Sequence, residues 1–250
     1  MNRTAWNEAH RNLAIKMKED PNWGDEYRDG DHTFDDTEIE LLGDVSGLDV
    51  LQLSCAGDAS QAFSLANLGA NVTACDFSPV AIETAKENAI KIGIDVQFVV
   101  DDSQRLSSFE ENQFDLVHAD YNLWFYEDLP VACQNWHRVL RIGGRLVLHE
   151  EHPIALWCLE KDSTGGWKKK RVYGDKTPEY YLDTDGGPPG SEGDLEAVEF
   201  PHTMADIMNA IFQSGLSVEK MVERVRENTK GTAKGVLPSD FFVIARKVGP

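Results

Sequence analysis

The chain has four cysteines in 250 residues, and none of them sits in a C-x-x-C pair. Cys55, Cys75, Cys133 and Cys158 are too widely spaced to frame a zinc knuckle or a redox dithiol, so no metal is expected from cysteine. Cys55 and Cys75 lie in apolar runs, where a thiol behaves as a small hydrophobe. Long hydrophobic runs are missing as well. No stretch approaches the ~18 consecutive apolar residues of a membrane span. The opening Met1-Asn2-Arg3-Thr4-Ala5-Trp6-Asn7-Glu8 has no apolar signal segment, and the expectation is a cytoplasmic protein. Positive charge is scarce: 24 basic against 43 acidic residues give a net charge of −19. Such a surface repels phosphate backbones and anionic lipid, which argues against nucleic acid and membrane as partners. The one compact basic run, Lys168-Lys169-Lys170-Arg171, reads as a solvated loop or a set of local charge pairs.

What is present points to one α/β unit. A hydrophobic content of 41% is ample for a packed core. The first 150 residues alternate short apolar runs with helical stretches, the pattern of βαβ units on a parallel sheet. An amphipathic helix over residues 5 to 19 opens the chain, and a short helix follows Asp35 or Asp36. Strands are predicted at Val50–Leu53, Asn71–Asp76, Val96–Val100, Phe114–Ala119 and, after Gly143-Gly144, at Arg145–His149. Ser78-Pro79 opens the helix after strand two as N-cap and first-turn proline. Residues 152 to 200 break the rhythm and carry Tyr173, Tyr180 and Tyr181, which favours an ordered lid. A helix to Gly215 and strands near 216–226 and 240–247 close the chain as a hairpin-type edge.

The expected fold is a doubly wound, mostly parallel Rossmann-like sheet with one antiparallel edge strand. Residues 1–45 form a helical cap, 46–151 the ligand-binding core, 152–202 a lid, and 203–250 complete the same domain.

Ligands of such sheets bind beyond the carboxyl ends of the strands, where strand order reverses. Asp76 ends strand two, 22 positions after Ser54, the spacing at which an acid reaches ribose hydroxyls. The loop after strand one then separates the nucleotide ligands. Positions 54, 56 and 59 are Ser, Ala and Ala, with Gly57 the one glycine nearby. Asp58 at the helix start would oppose a pyrophosphate. A nicotinamide-dependent oxidoreductase is therefore disfavoured, and a cationic adenosyl ligand such as S-adenosylmethionine suits the acidic helix entrance.

Five segments in order carry a resemblance. They are Val50-Leu51-Gln52-Leu53-Ser54-Cys55-Ala56-Gly57, Val72 through Ile82, Phe98-Val99-Val100-Asp101-Asp102-Ser103, Phe114-Asp115-Leu116-Val117, and Val139 through Leu148. Together, residues about 36 to 152 resemble a class I S-adenosylmethionine-dependent methyltransferase of the broad bacterial methyltransferase-domain group. The first motif departs from the family pattern, with a single glycine and with Gln52 where an acid is usual. The resemblance implies that Asp76 holds the ribose, Phe77 packs on adenine, and Asp102 accepts from the adenine amino group with Ser103 beside it. It also implies that Ser54, Cys55, Ala56 and Gly57 pass their backbone along the methionine part. Asp120 and Tyr121 would face the sulfonium and the acceptor.

The implied activity is methyl transfer to a small-molecule acceptor at O, N or C, with a non-catalytic adenosyl-ligand-binding protein as the alternative. The sequence permits a homodimer. Candidate catalytic groups are His152, Glu150 and Tyr121. Glu150 and His152 are two apart on a continuing strand and would share one face, with His152 as base and Glu150 as its orienter. His118 and His149 are expected to be satisfied core residues.

Overall fold

A strand covered by helices on both faces needs apolar side chains at both parities, and the five predicted runs meet that demand. In the computed structural model, which describes residues 3–161, 163, 167–182, 196–225 and 237–249, they form the centre of one seven-stranded sheet. The elements run α1 (Arg3–Glu19), α2 (Asp25–Arg28), α3 (Asp36–Leu42), β1 (Asp49–Leu53), α4 (Ser60–Asn67), β2 (Asn71–Asp76), α5 (Pro79–Ile92), β3 (Gln97–Val100) and β4 (Phe114–Asp120). There follow α6 (Leu129–Val139), β5 (Leu140–Glu151), β6 (Leu159–Lys161), β7 (Trp167–Lys169), β8 (Glu179–Leu182), β9 (Glu196–Glu199), α7 (Met204–Gln213), β10 (Leu216–Arg224) and β11 (Asp240–Lys247).

The sheet order is β3-β2-β1-β4-β5-β11-β10. Strands β1 to β5 pair in parallel. The antiparallel strand is β11, which runs against both β5 and β10, and the β11–β10 pair makes the antiparallel edge expected of the sheet. Order reverses between β1 and β4, and the loops that follow those two strands meet there.

Alternate strand residues feed two cores. Leu51, Val117, Leu146, Leu148, Phe241 and Val243 pack under α6 and α7. Val50, Val72, Leu116, Val147, Phe242 and Ile244 pack under α3, α4 and α5. Local signals start and stop the helices. Asp35 caps α3 in a reciprocal capping box with Glu38. The Ser78 hydroxyl accepts from Ala81 N–H at the start of α5, which stops at Gly93 in the left-handed region.

Strand five differs from its expected bounds. It starts at Leu140, directly after α6, and Gly143-Gly144 lies inside it. The pairing register with β4 shifts there, from Phe114 opposite Leu140 to Leu116 opposite Arg145. Gly143 has φ +84°, and a Cβ on Gly144 would come within 2.9 Å of the Arg141 carbonyl oxygen. The two glycines therefore make an irregularity within a strand and do not mark its start.

The segment after β5 folds back in two short hairpins, β6–β7 and β8–β9. Its described part packs against the strand ends: Phe200 N–H donates to the Trp124 carbonyl, and Trp157 meets Trp124 edge-on at 5.5 Å. The Gly186–Gly190 tip expected in the lid lies outside the described residues. The basic run pairs locally, Lys168 with Glu160 and both Lys170 and Arg171 with Glu179. Among the described residues no helix is long and apolar enough to cross a membrane.

Candidate functional site

The loop after β1 turns sharply, and it does so without the glycines that usually permit such a turn. Ser54, Ala56 and Ala59 adopt φ of 52°, 54° and 48°, the left-handed region that costs an L-residue roughly 1–2 kcal/mol. These are the positions whose lack of glycine counted against a dinucleotide. Gly57 itself is kept for close packing, since a Cβ there would press to 3.2 Å on Thr84. The loop is tied down from three sides. Ser103 Oγ accepts from Ser54 N–H at 3.1 Å and from Ser54 Oγ at 3.0 Å. Asn88 donates to the Gly57 carbonyl, and Ala56 N–H donates to Asp76 Oδ2 at 3.1 Å.

Asp76 ends β2 almost fully buried, and its Oδ1 accepts from Ser78 N–H at 2.9 Å. Burial pushes its carboxyl up, while His10 and the two backbone donors pull the other way. Helix α1 lies over this corner. Asn7 accepts from the Ser78 hydroxyl at 2.7 Å, and the Arg3 guanidinium sits 6.0 Å from the centre of the half-buried Phe77 ring. His10 is buried with its Nδ1 unpartnered among the described residues, and burial lowers its pKa against the pull of Asp76 and Asp58. The Asp102 carboxylate closes its own turn, accepting from Gln104 N–H at 2.9 Å. The buried Ser103 acts as a tie between two loops.

At β4 and β5 the expected arrangement is replaced by another. Glu150 and His152 are not brought together. The Glu150 carboxylate, fully buried, accepts from the N–H groups of Leu123 at 2.8 Å and Glu151 at 2.9 Å. Burial raises its pKa to about 8. His152 Nε2 pairs with Glu223 at 2.9 Å, and its Nδ1 accepts from Ile154 N–H. Both nitrogens are engaged and the ring is 2% exposed, so Glu150 and His152, expected as orienter and base, each hold other partners. Glu223 arrives from β10, 71 residues away, which no local spacing reveals.

The histidine that sequence reasoning passed over is His149. Asp120 stands opposite it in register across β4 and β5. His149 Nδ1 lies 2.7 Å from Asp120 Oδ1 and 3.4 Å from Glu38, and its Nε2 lies 2.9 Å from Asp240 Oδ2. A neutral imidazole has one N–H for two such carboxylates. Burial lowers the pKa of His149, but hydrogen bonds from Asp120, Asp240 and Glu38 outweigh it and raise the pKa to about 11. Phe242 stacks on the ring at 4.1 Å, and Arg224 bridges Asp240 to Asp35. Gln61 of α4 donates to the other oxygen of Asp120 at 2.7 Å. Asp120 is thus committed to this network. Tyr121, φ 47° and 41% exposed, remains at the open strand end with its hydroxyl 3.4 Å from His149 Nε2. His118 is buried as expected, and its Nδ1 has no partner among the described residues.

Known proteins agree with this architecture. Residues 51–148 match the family described as a methyltransferase domain. A protein of Synechocystis described as an uncharacterized methyltransferase is 34% identical over 132 residues, 51% of this chain and 58% of that protein. A ubiquinone biosynthesis O-methyltransferase of Xanthomonas oryzae is 30% identical over 105 residues, 42% of this chain and 44% of its own. The chain spans about half the length of these curated relatives. The solved S-adenosylmethionine dependent methyltransferase from Mesorhizobium loti superposes with a TM-score of 0.63 at 24% identity, over 83% of this chain and 94% of that one. Residues 51–148 thus match a methyltransferase-domain family, and the fold is that of solved S-adenosylmethionine dependent methyltransferases.

Proposed function

We propose that this protein is an S-adenosylmethionine-dependent methyltransferase acting on a small-molecule acceptor in the cytoplasm. The observation that carries the reading is the left-handed turn at Ser54, Ala56 and Ala59, bonded through Ala56 N–H to the buried Asp76. It keeps the backbone course of a glycine-rich ligand loop despite the missing glycines, at the reversal point of a class I sheet. The residues present fit the cofactor. Each Asp76 oxygen has one backbone donor and a lone pair left for a ribose hydroxyl. Phe77 offers a ring for adenine, and the buried His10 close to Asp76 has an Nδ1 without a partner among the described residues.

When bound, the cofactor supplies an activated methyl group. The protein's part is alignment and exclusion of water. Trp6 meets Phe125 edge-on at 4.9 Å, so α1 closes on the loop after β4. The indole N–H groups of Trp6, Trp124 and Trp157, and both amide atoms of Asn122, are buried without partners among the described residues. Each such group costs about 1–3 kcal/mol unless something satisfies it. An aromatic acceptor bearing oxygen would satisfy donors set in an aromatic wall. With His152 engaged on both sides, the reading places no general base there and rests transfer on alignment, with Tyr121 at the acceptor end.

Calorimetry with S-adenosylmethionine against NADH tests the cofactor. Binding of the first alone is expected, and Asp76→Ala should weaken it by about 1.5–3 kcal/mol with the fold retained. An unchanged dissociation constant in the folded variant would overturn the ribose assignment. Turnover of methyl-labelled cofactor with phenolic and quinol acceptors tests the transfer.

A further inference from the structure

We propose that Glu38, Asp120 and His149 form a binding site for one divalent first-row transition-metal ion, with Zn²⁺ and Mn²⁺ as its probes. One ligand atom from each residue lies within 4.8 Å of the others. The closest approaches, 2.7 Å and 3.4 Å from His149 Nδ1 to Asp120 and Glu38, match the edges of a coordination polyhedron. Two ligands each ~2.0–2.2 Å from a metal stand roughly 3 Å apart. One imidazole with two carboxylates is a donor set for zinc or manganese more than for calcium.

The groups around the three ligands are those a metal site requires. Asp240 holds His149 Nε2 at 2.9 Å, on the far side of the ring from Glu38 and Asp120, which gives the carboxylate–histidine arrangement that turns Nδ1 toward a metal. Gln61 fixes the second oxygen of Asp120 at 2.7 Å. Asp35 N–H fixes the second oxygen of Glu38 at 2.7 Å through the capping box of α3, which leaves Oε1 for the ion. Side-chain exposures of 2%, 4% and 15% keep the site out of bulk water.

A further observation is independent of these contacts. His118 stands on β4 two residues before Asp120, on the same face of the sheet. It is 3% exposed, and its Nδ1 has no partner among the described residues. The pleat of β4 therefore sets a buried polar ring on the side of the sheet from which Asp120 meets His149. The guanidinium of Arg224 is directed at the Nε2 side, where Asp240 and Asp35 receive it. Three protein ligands leave positions open. Under the transferase reading, an acceptor oxygen is the natural occupant of one of them. The site itself requires no assumption about the cofactor.

The test is Zn²⁺ calorimetry on the full chain stripped with chelator, with Mn²⁺ followed by electron paramagnetic resonance, both without cofactor or acceptor. Wild type should take up one tight equivalent. Glu38→Gln, which keeps an oxygen for the cap, and Asp120→Asn should each weaken it at least about tenfold. Glu40→Gln removes the same charge from the exposed face of α3 and should leave the affinity unchanged. Absence of a tight equivalent in wild type, or one retained at full affinity in both ligand variants, would overturn the site. Either result reads independently of whether the protein transfers methyl groups.

Discussion

The two halves of the strand-end surface are built by different means. Beyond β1, β2 and β3 the surface is mostly backbone. The turn at Ser54–Ala59 and the stubs of Asp76 and Ser103 are fixed by peptide N–H groups and hydroxyls within 49 residues of one another. Beyond β4, β5 and β11 it is mostly charged side chains, assembled from α3, α4 and the C-terminal hairpin. Asp240 and Glu223 reach His149 and His152 across 91 and 71 residues. The first half can accept a constant ligand because its shape is a property of local chain geometry. The second can vary its chemistry by changing one side chain on a distant element, which under the proposed transferase reading suits the part that meets the acceptor.

The sharpest way to break this comparison is to remove a charge from the second half. Asp240 is 3% exposed at its side chain and lies between His149 and Arg224. Asp240→Ala takes a shared carboxylate from the buried His149 and the partly buried Arg224, which keep Asp120 and Asp35, and a loss of about 3 kcal/mol is expected in urea unfolding. A variant within the noise of wild type would mean that the network is held by shape and not by charge. A smaller effect is expected in the first half. Ser103→Ala removes the acceptor of Ser54 N–H and should cost about 1–3 kcal/mol of stability. Cofactor affinity should fall with it, because the turn loses its anchor. If stability falls and affinity does not, the turn and the ligand site are separate features.

This division also explains what was legible in the sequence. The order of strands, the helix starts at Asp35 and Ser78, and the ligand-loop positions 54, 56 and 59 follow from signals a few residues long. The Glu150–His152 pair also followed from a local rule, the two-residue period of a strand. In the structure the two side chains have other partners: backbone donors at Leu123 and Glu151 for one, Glu223 for the other. His149 looked like core for the same reason. Its sequence neighbours are apolar, and the carboxylates that surround it come from α3, β4 and β11. One local signal did exist: Asp120 and His149 follow the apolar runs of β4 and β5 at equivalent positions, and parallel pairing puts such positions side by side.

The smallest effect bears on the first half alone. Ala56 holds φ 54°, where an L-residue is strained by roughly 1–2 kcal/mol. Glycine there would shed the strain, against the roughly 0.5–1 kcal/mol it loses in chain entropy. Ala56→Gly should therefore stabilise the protein by up to about 1 kcal/mol, read as a rise in the midpoint of thermal unfolding. Gly57→Ala runs the other way, since its new methyl group would press against Thr84 at 3.2 Å. If Ala56→Gly destabilises, the turn does not have the left-handed course assigned to it, and the backbone argument for the ligand loop falls with it. If it stabilises and binds cofactor as well as wild type, the glycines of this motif act through conformation, and alanine can replace them at a modest energetic cost.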